Sequence, residues 1–458
     1  MQNFDLIVIG AGSGLNISSA AADIGMKVAI VEKGPMGGTC LNRGCIPSKI
    51  ILHSADVAQT IKNSSLFGIK SKLAAVNFKS ITERASKIVD DDAKEIEQAI
   101  RSDKNTTLFK AEGKFVAERT LKVGSETIRG EKVIIAAGTR PLVPPIEGLK
   151  ETDFMTSDEA LRLKKQPKTL TILGGGYIAA ELAHFFGSLG TKVSIIQRGN
   201  LLIPNEDEEI AAKFTQIFGK KYNVLTGFNA TKVLKKNNKF ITEIEGDATK
   251  QKKTKKKIVS ERILVATGRV SNSDILDVKK ANVEIDDKGF IKTNEYLETT
   301  AKKVWALGDI AGKFLFKHSA NLEAQYVYNN AVLNKKMKVD YTAMPHAIFS
   351  SPQIAGVGLR EKDLRRQKMD YATGRYDYIN SGMGIAMQDK EGFVKIFAER
   401  KTRKILGCHI LGAQASTLIH EVVVAMKANL DADSIKDAVH IHPSLSEVVQ
   451  RAVNNIKW

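Results

Sequence analysis

Cysteine is scarce in this chain, with three residues in 458. That is too few for a disulfide scaffold and points to a reducing compartment. No run of about 18 apolar residues occurs, so no segment is expected to span a membrane. The N-terminus has no charged stretch leading into an apolar core and enters the strand-like run FDLIVIGAG at once. No secretory signal is therefore expected, and the cytoplasm is the expected location. The rest of the composition, 43% hydrophobic and 26% charged, is that of an ordinary globular protein. The length suggests about two to four domains.

Acidic residues are the minority charge: 69 Lys and Arg against 51 Asp and Glu leave a formal charge of +18. Part of the excess is local, with ten lysines between positions 232 and 257. The stretch KQKKTKKK lies between FITEIEGDA and IVSERILVATG and reads as a solvated hairpin loop. No aromatic residue interleaves the lysines of KQKKTKKK, so the stacking platform that single-stranded nucleic acid needs is missing there. No specific nucleic-acid partner is expected. A redox-sensing protein that uses the charge to hold nucleic acid is the reading from a different class.

What the chain does contain is a repeat. DLIVIGAGSGLNISSAAADIGMKVAIVEKG (Asp5–Gly34) and LTILGGGYIAAELAHFFGSLGTKVSIIQRG (Leu170–Gly199) share one pattern. Each is an apolar run, a glycine cluster, an amphipathic helix and a second apolar run: a βαβ unit written twice. Two dinucleotides, or two halves of one site, are implied. In the first unit Gly10, Gly12 and Gly14 make a tight turn that lets a pyrophosphate approach a helix N-terminus. Glu32 closes the second strand, where an acid binds ribose hydroxyls. The third glycine position of the G-x-G-x-x-G pattern falls on Leu15, and Gly14 is the candidate to compensate. The second unit has Gly174, Gly176 and Ala179, and its strand ends in Gln197–Arg198 with no acid. An arginine there accommodates a 2′-phosphate and favours NADPH. The alternative is that Arg198 is a surface charge and NADH is used.

Two of the three cysteines lie in GGTCLNRGCIPSK, five positions apart. Zinc needs about four ligands, and Cys408 is far away in ILGCHILG, where a small buried residue is expected. Pro47 suits a first helical turn, which puts Cys45 at the positive end of a helix, where a thiolate is favoured. Lys49 follows one turn on. A close thiol pair between two nucleotide units reads as a redox centre.

These segments, with AAGTRP, VATGR, ALGDIAG and HIHPSLSE, run through essentially the whole chain in the order of the flavin-dependent pyridine nucleotide–disulfide oxidoreductases, which the chain resembles. That family includes dihydrolipoamide dehydrogenase and the glutathione, mycothione and mercuric reductases. The resemblance implies an α/β fold of two Rossmann-like dinucleotide-binding domains plus a C-terminal α+β dimerisation domain. The expected layout is an FAD-binding domain over 1–146, an NAD(P)-binding domain over 147–268, a continuation of the FAD domain over 269–338, and dimerisation over 339–458.

The resemblance also assigns roles. Gly10, Gly12, Gly14 and Glu32 would hold the ADP of FAD, and Asp309 its ribityl side. Gly38, Thr39, Gly138 and Gly268 are further expected cofactor contacts. Cys40 matches the interchange thiol and Cys45 the charge-transfer thiol. Lys49 resembles the lysine near the flavin, and Glu181 its carboxylate partner. Tyr177 resembles the aromatic gate of some members, or is a tyrosine at the edge of the core. His442 matches the acid–base histidine and Glu447 the carboxylate that orients it, whereas His440 is expected only to pack. Because the family histidine comes from the partner subunit, a homodimer is implied. No metal is expected.

The expected reaction passes an electron pair among NAD(P)H, FAD, a Cys40–Cys45 disulfide and an external dithiol or disulfide. The cysteine segment reads most like dihydrolipoamide dehydrogenase, with a free or lipoyl-domain dithiol as substrate. The segments GGGYIAAE and HIHPSLSEVV, with Gln197–Arg198, lean towards an NADPH-dependent reductase of the mycothione or glutathione type. The tail QRAVNNIKW lacks the cysteine pair of mercuric reductase. Arg43 stands where relatives commonly carry a small apolar residue. It is expected to lower the thiolate pKa or meet an acidic substrate group, or else to point into solvent.

Overall fold

The computed structural model describes residues 1–246 and 254–458. Its first sheet is built on the strand Gln2–Ile9, which pairs in parallel with Val28–Val31 on one side and Glu126–Ile135 on the other. Thr106–Phe109 extends the sheet beyond Val28–Val31, and Val304–Ala306 returns from far along the chain to pair with Glu126–Ile135. Two short antiparallel strands, Gly113–Ala117 and Thr120–Val123, complete it. Leu6 to Ile9 are an unbroken apolar run because both faces are covered. Leu6 and Val8 enter one core with helix Leu15–Asp23, while Ile7 and Ile9 enter the other.

Two long helices, Cys45–Asn63 and Phe78–Ser102, separate the outer strands. Ile51, Leu52 and Ala55 of the first pack into the same core as Ala180, Ala183 and Phe185 of helix Tyr177–Ser188. That contact joins the first βαβ unit to the second and places Cys45 between them. The second unit is a four-stranded parallel sheet in the order Asn223–Thr226, Lys192–Gln197, Thr169–Leu173, Arg262–Val265.

An antiparallel meander, Phe228–Lys236, Lys239–Gly246 and Thr254–Ser260, leaves the second sheet. It corrects part of the lysine-loop expectation: Lys255, Lys256 and Lys257 lie on the third strand. Cross-strand partners explain the difference, since Lys257 pairs with Glu243 at 2.9 Å and Lys256 lies over the Phe228 ring. Lys250, Lys252 and Lys253 fall outside the described residues.

From Pro345 on, five antiparallel strands form one sheet covered by helices Ala415–Lys427 and Glu447–Asn454. Cys408 sits in its core, fully buried, and burial pushes its thiol up. Among the described residues no helix is long and apolar enough to cross a membrane.

Candidate active site

The first glycine turn is shaped by contacts that admit no side chain. Gly10 has φ +102°, and a Cβ there would lie 2.3 Å from the Ala136 carbonyl oxygen. A Cβ on Gly14 would meet Gly10 O and Val8 Cγ1 at 2.8 Å, so Gly14 provides the close helix–strand packing that Leu15 does not. Gly12 and Gly38 face each other: a Cβ on Gly38 would lie 2.7 Å from Gly12 Cα. Glu32 accepts hydrogen bonds from the Ala11 N–H at 2.9 Å and the Gly34 N–H at 2.6 Å, which ties the turn to the end of its strand.

These groups open onto a cavity of about 510 Å³. Its wall includes Gly10, Gly12, Glu32, Gly38, Thr39 and Gly138 from the first sheet, and the cysteine pair. Asp309 reaches it from a short turn after Val304–Ala306 and accepts a hydrogen bond from the Thr139 hydroxyl at 2.9 Å. Burial raises its carboxyl pKa. A backbone floor of glycines, with Glu32 and Asp309 in the wall, fits an extended dinucleotide such as FAD.

The second glycine turn repeats the first: Gly174 has φ +107°, and a Cβ there would lie 2.2 Å from Ala266 O. Gly176 has nothing within 4 Å of its Cβ position, which leaves room for a phosphate. Ala179 is buried on the helix, and Gly268, with φ +125°, lies in the link between the strands Arg262–Val265 and Arg269–Ser271. The Gln197 amide donates to Leu201 O at 3.3 Å. Arg198 is exposed and makes no ion pair among the described residues. None of these residues lines the 510 Å³ cavity. They belong to the neighbouring unit, as a second nucleotide site would.

Cys40 ends the first turn of a short helix, Gly38–Arg43, and Cys45 begins the helix Cys45–Asn63. Both are half-buried free thiols, and each perturbs the other. The Cys40 thiol first, and then the Lys49 charge, bring the Cys45 thiol down to about 7 against the opposing effect of burial. Cys40 is pushed up, by Cys45 and by burial. Of the two thiols, Cys45 is the one favoured as the thiolate. Lys49 Nζ is held by Glu181 at 2.8 and 2.9 Å, and Glu181 also accepts the Phe349 N–H at 3.0 Å.

Of the parts expected of Arg43, the solvent-facing one fits best, for its side chain is about half exposed in the cavity wall. Its guanidinium lies over Gly34, 3.6 Å from Asp158, and the perturbation of Cys45 comes from Cys40 and Lys49 instead. Lys317, which sequence reasoning missed, opens the helix Lys317–Val327 and donates to Ser13 Oγ at 2.9 Å. Its charge opposes the rise at Cys40. The one sequence signal for it is a lysine in a first helical turn just after ALGDIAG.

His442 and Glu447 do not line the cavity. His442 Nδ1 lies 3.0 Å from Glu447 Oε1, and the imidazole holds the Glu447 carboxyl below its ordinary range. The His442 side chain is 75% exposed. Val439 and Ile441 beside it are 100% and 79% exposed, a concentration of apolar surface that marks an interaction face. His440 is turned inward to Glu421 at 3.0 Å, in keeping with a packing role. Among the described residues no cluster of three or more His, Cys, Asp or Glu side chains could hold a metal ion.

Comparison with known proteins matches residues 4–336 to the family described as pyridine nucleotide-disulphide oxidoreductase, and residues 344–453 to the dimerisation domain of the same family. A mycothione reductase of Mycobacterium tuberculosis is 34% identical, with 100% of both chains covered. A dihydrolipoyl dehydrogenase of Chlamydia trachomatis is 32% identical over 98% of this chain and 95% of its own. An HOCl-induced flavoprotein disulfide reductase of Escherichia coli, solved as a Cu(II) complex, superposes with a TM-score of 0.88 at 25% identity and covers 100% of both chains.

Proposed function

The chain belongs to the pyridine nucleotide-disulphide oxidoreductases, whose members bind FAD and NAD(P)H, and on that premise we propose that it exchanges electrons between NAD(P)H and an external dithiol or disulfide through Cys40 and Cys45. The observation that carries this reading is the placement of Cys40 and Cys45 in the wall of the cavity beside the Lys49–Glu181 ion pair, with the Cys45 thiol lowered to about 7. In this reading residues 1–146 and 269–338 hold FAD, 147–268 hold NAD(P), and 339–458 make a homodimer.

FAD, when bound, supplies the electron-pair chemistry that links the dinucleotide to the cysteines. The chain's own groups do the rest. Lys49 supports negative charge at the Cys45 sulfur, and Glu181 keeps that lysine in place. In the reductase direction the Cys40 proton passes to His442 of the partner subunit, and the Cys40 sulfur attacks the substrate disulfide. One substrate thiol leaves with the proton returned by the histidine. Cys45 then attacks Cys40, the second substrate sulfur departs, and the cysteines end two electrons more oxidised as a disulfide. Glu447 fixes the imidazole tautomer for both proton transfers.

Dihydrolipoamide, oxidised with NAD⁺, is the leading substrate on the cysteine segment. One observation favours a second reading, an NADPH-dependent reductase of a low-molecular-weight disulfide: Arg198 stands exposed and unpaired among the described residues where an acid would select an unphosphorylated ribose. Dihydrolipoamide, glutathione disulfide and mycothiol disulfide, each assayed with both nucleotides, separate the two. Turnover of none of them, with a flavin-loaded protein, would overturn the proposal.

A further inference from the structure

Tyr177 opens the helix of the second unit, and its ring forms part of the cavity wall beside Glu181 and Phe316. Its hydroxyl donates to Glu206. Glu206 is 1% exposed, and its other carboxylate oxygen accepts a hydrogen bond from His346 Nε2 at 2.8 Å. The rings of Tyr177, Phe316 and His346 lie within 17° of parallel, each centroid 6.2 Å from the other two. Three parts of the chain therefore meet on one tyrosine: the second unit, the segment after Asp309 and the C-terminal sheet.

The base of this contact is fixed. Arg360 donates to Asn205 O at 2.6 Å, and Lys395, itself buried, donates to Asp207 Oδ1 at 3.1 Å. Glu206 is held between these two anchors and cannot follow the Tyr177 ring if the ring turns away. Burial alone would raise the Glu206 carboxyl pKa, and the bonds from His346 and Tyr177 keep it ionised. A buried carboxylate that loses the tyrosine donor is left one hydrogen bond short, which opposes the turn.

We infer that Glu206 and His346 are a latch that holds Tyr177 closed across the nicotinamide entrance, so that the nicotinamide end of the dinucleotide displaces the Tyr177–Glu206 hydrogen bond as it enters. The inference rests on the second unit binding NAD(P)H. Glu206 and His346 touch no reacting atom and act as positioning residues through Tyr177. A closed majority state lowers apparent affinity by the fraction that is open.

The test compares whole and truncated dinucleotides on the flavin-loaded protein by calorimetric titration. NAD⁺ and NADP⁺ carry the nicotinamide, whereas ADP-ribose and its 2′-phosphate carry only the adenosine end. Tyr177→Phe keeps the ring and leaves Glu206 paired with His346. It is expected to tighten binding of the whole dinucleotide roughly tenfold and to leave ADP-ribose binding unchanged. Glu206→Gln, which keeps an acceptor oxygen and loses the charge, is expected to give a smaller gain of the same kind. Whole-dinucleotide affinities equal to wild type in both variants would overturn the latch. Parallel changes for whole and truncated ligands would also overturn it, because they would mark a packing contact. A wild-type protein that binds none of the four ligands would overturn the dinucleotide reading itself, and the latch with it.

Discussion

Lys49 Nζ stands 2.8 and 2.9 Å from the two carboxylate oxygens of Glu181, and the helix that carries Lys49 begins at Cys45. The cation is thus held one turn from the thiolate. In the two-electron-reduced enzyme the long-wavelength thiolate–flavin absorption is expected to rise with pH through a midpoint of about 7 and to vanish in acid, where Cys45 is protonated. Lys49→Met removes a charge that lowers this thiol and leaves the nearby Glu181 charge, which raises it, unopposed. Both changes act in one direction, and the midpoint is expected to move up by roughly one unit or more. Cys45→Ser should abolish the band. A band that survives in Cys45→Ser would show that the thiol roles are reversed.

Gly12 and Gly14 stand two residues apart and are expected to fail differently. A methyl on Gly14 meets Gly10 O and Val8 Cγ1 at 2.8 Å, so Gly14→Ala overpacks the helix–strand contact and is expected to cost about 1–3 kcal/mol of stability. A methyl on Gly12 meets only Gly38 Cα, at 3.9 Å, so Gly12→Ala leaves the fold intact and blocks the approach of the pyrophosphate. Urea denaturation of the apoprotein and the flavin content of the purified protein measure the two effects. A Gly14→Ala protein as stable as wild type would show that Leu15, not Gly14, occupies the packing position.

The two βαβ units and the cysteine helix were legible because each is written in consecutive residues: an apolar run, a glycine turn, a helix start. Lys49 and Glu181, 132 positions apart, were paired only through the family resemblance, and the structure brings them together. Glu206 and His346 lie 140 positions apart and carried no comparable pattern. Nothing in NEDEE marks Glu206 and Asp207 as the buried acids of the run: Asp207 accepts from Glu209 N at 3.1 Å at the helix start and from buried Lys395, while Glu206 faces Tyr177 and His346. On the lysine strand, charge density masked an alternation that only the facing Glu243 and Glu245 make visible. For Arg43 the sequence left a thiolate role, a substrate role and plain solvent exposure open, and only the folded chain shows its side chain on the side of Gly34 and Asp158.

Arg198 follows Gln197 at the end of the strand Lys192–Gln197, exposed and without an ion pair among the described residues. A guanidinium in that position binds a 2′-phosphate through charge-assisted hydrogen bonds. Arg198→Ala is expected to weaken NADPH roughly five- to tenfold and NADH hardly at all, as read from the dissociation constants in rapid-reaction flavin reduction. Equal effects on the two nucleotides would remove the argument for NADPH and leave dihydrolipoamide oxidation with NAD⁺ as the better reading.

His442 is 75% exposed and lies outside the cavity that holds Cys40 and Cys45, although its partner Glu447 is already in place. The proposed acid–base role therefore requires His442 to reach the thiols of another subunit. Inactive Cys45→Ser and inactive His442→Gln proteins, co-expressed in equal amounts, should form mixed dimers in which one site carries both lesions and the other carries neither. With random pairing, activity is expected to return to about a quarter of wild type. If His442 serves its own chain, every site in every dimer carries a lesion and no activity returns. Recovery near a quarter, with Glu447→Ala behaving like His442→Gln in the same mixing experiment, establishes both the partner-supplied histidine and the role of its carboxylate.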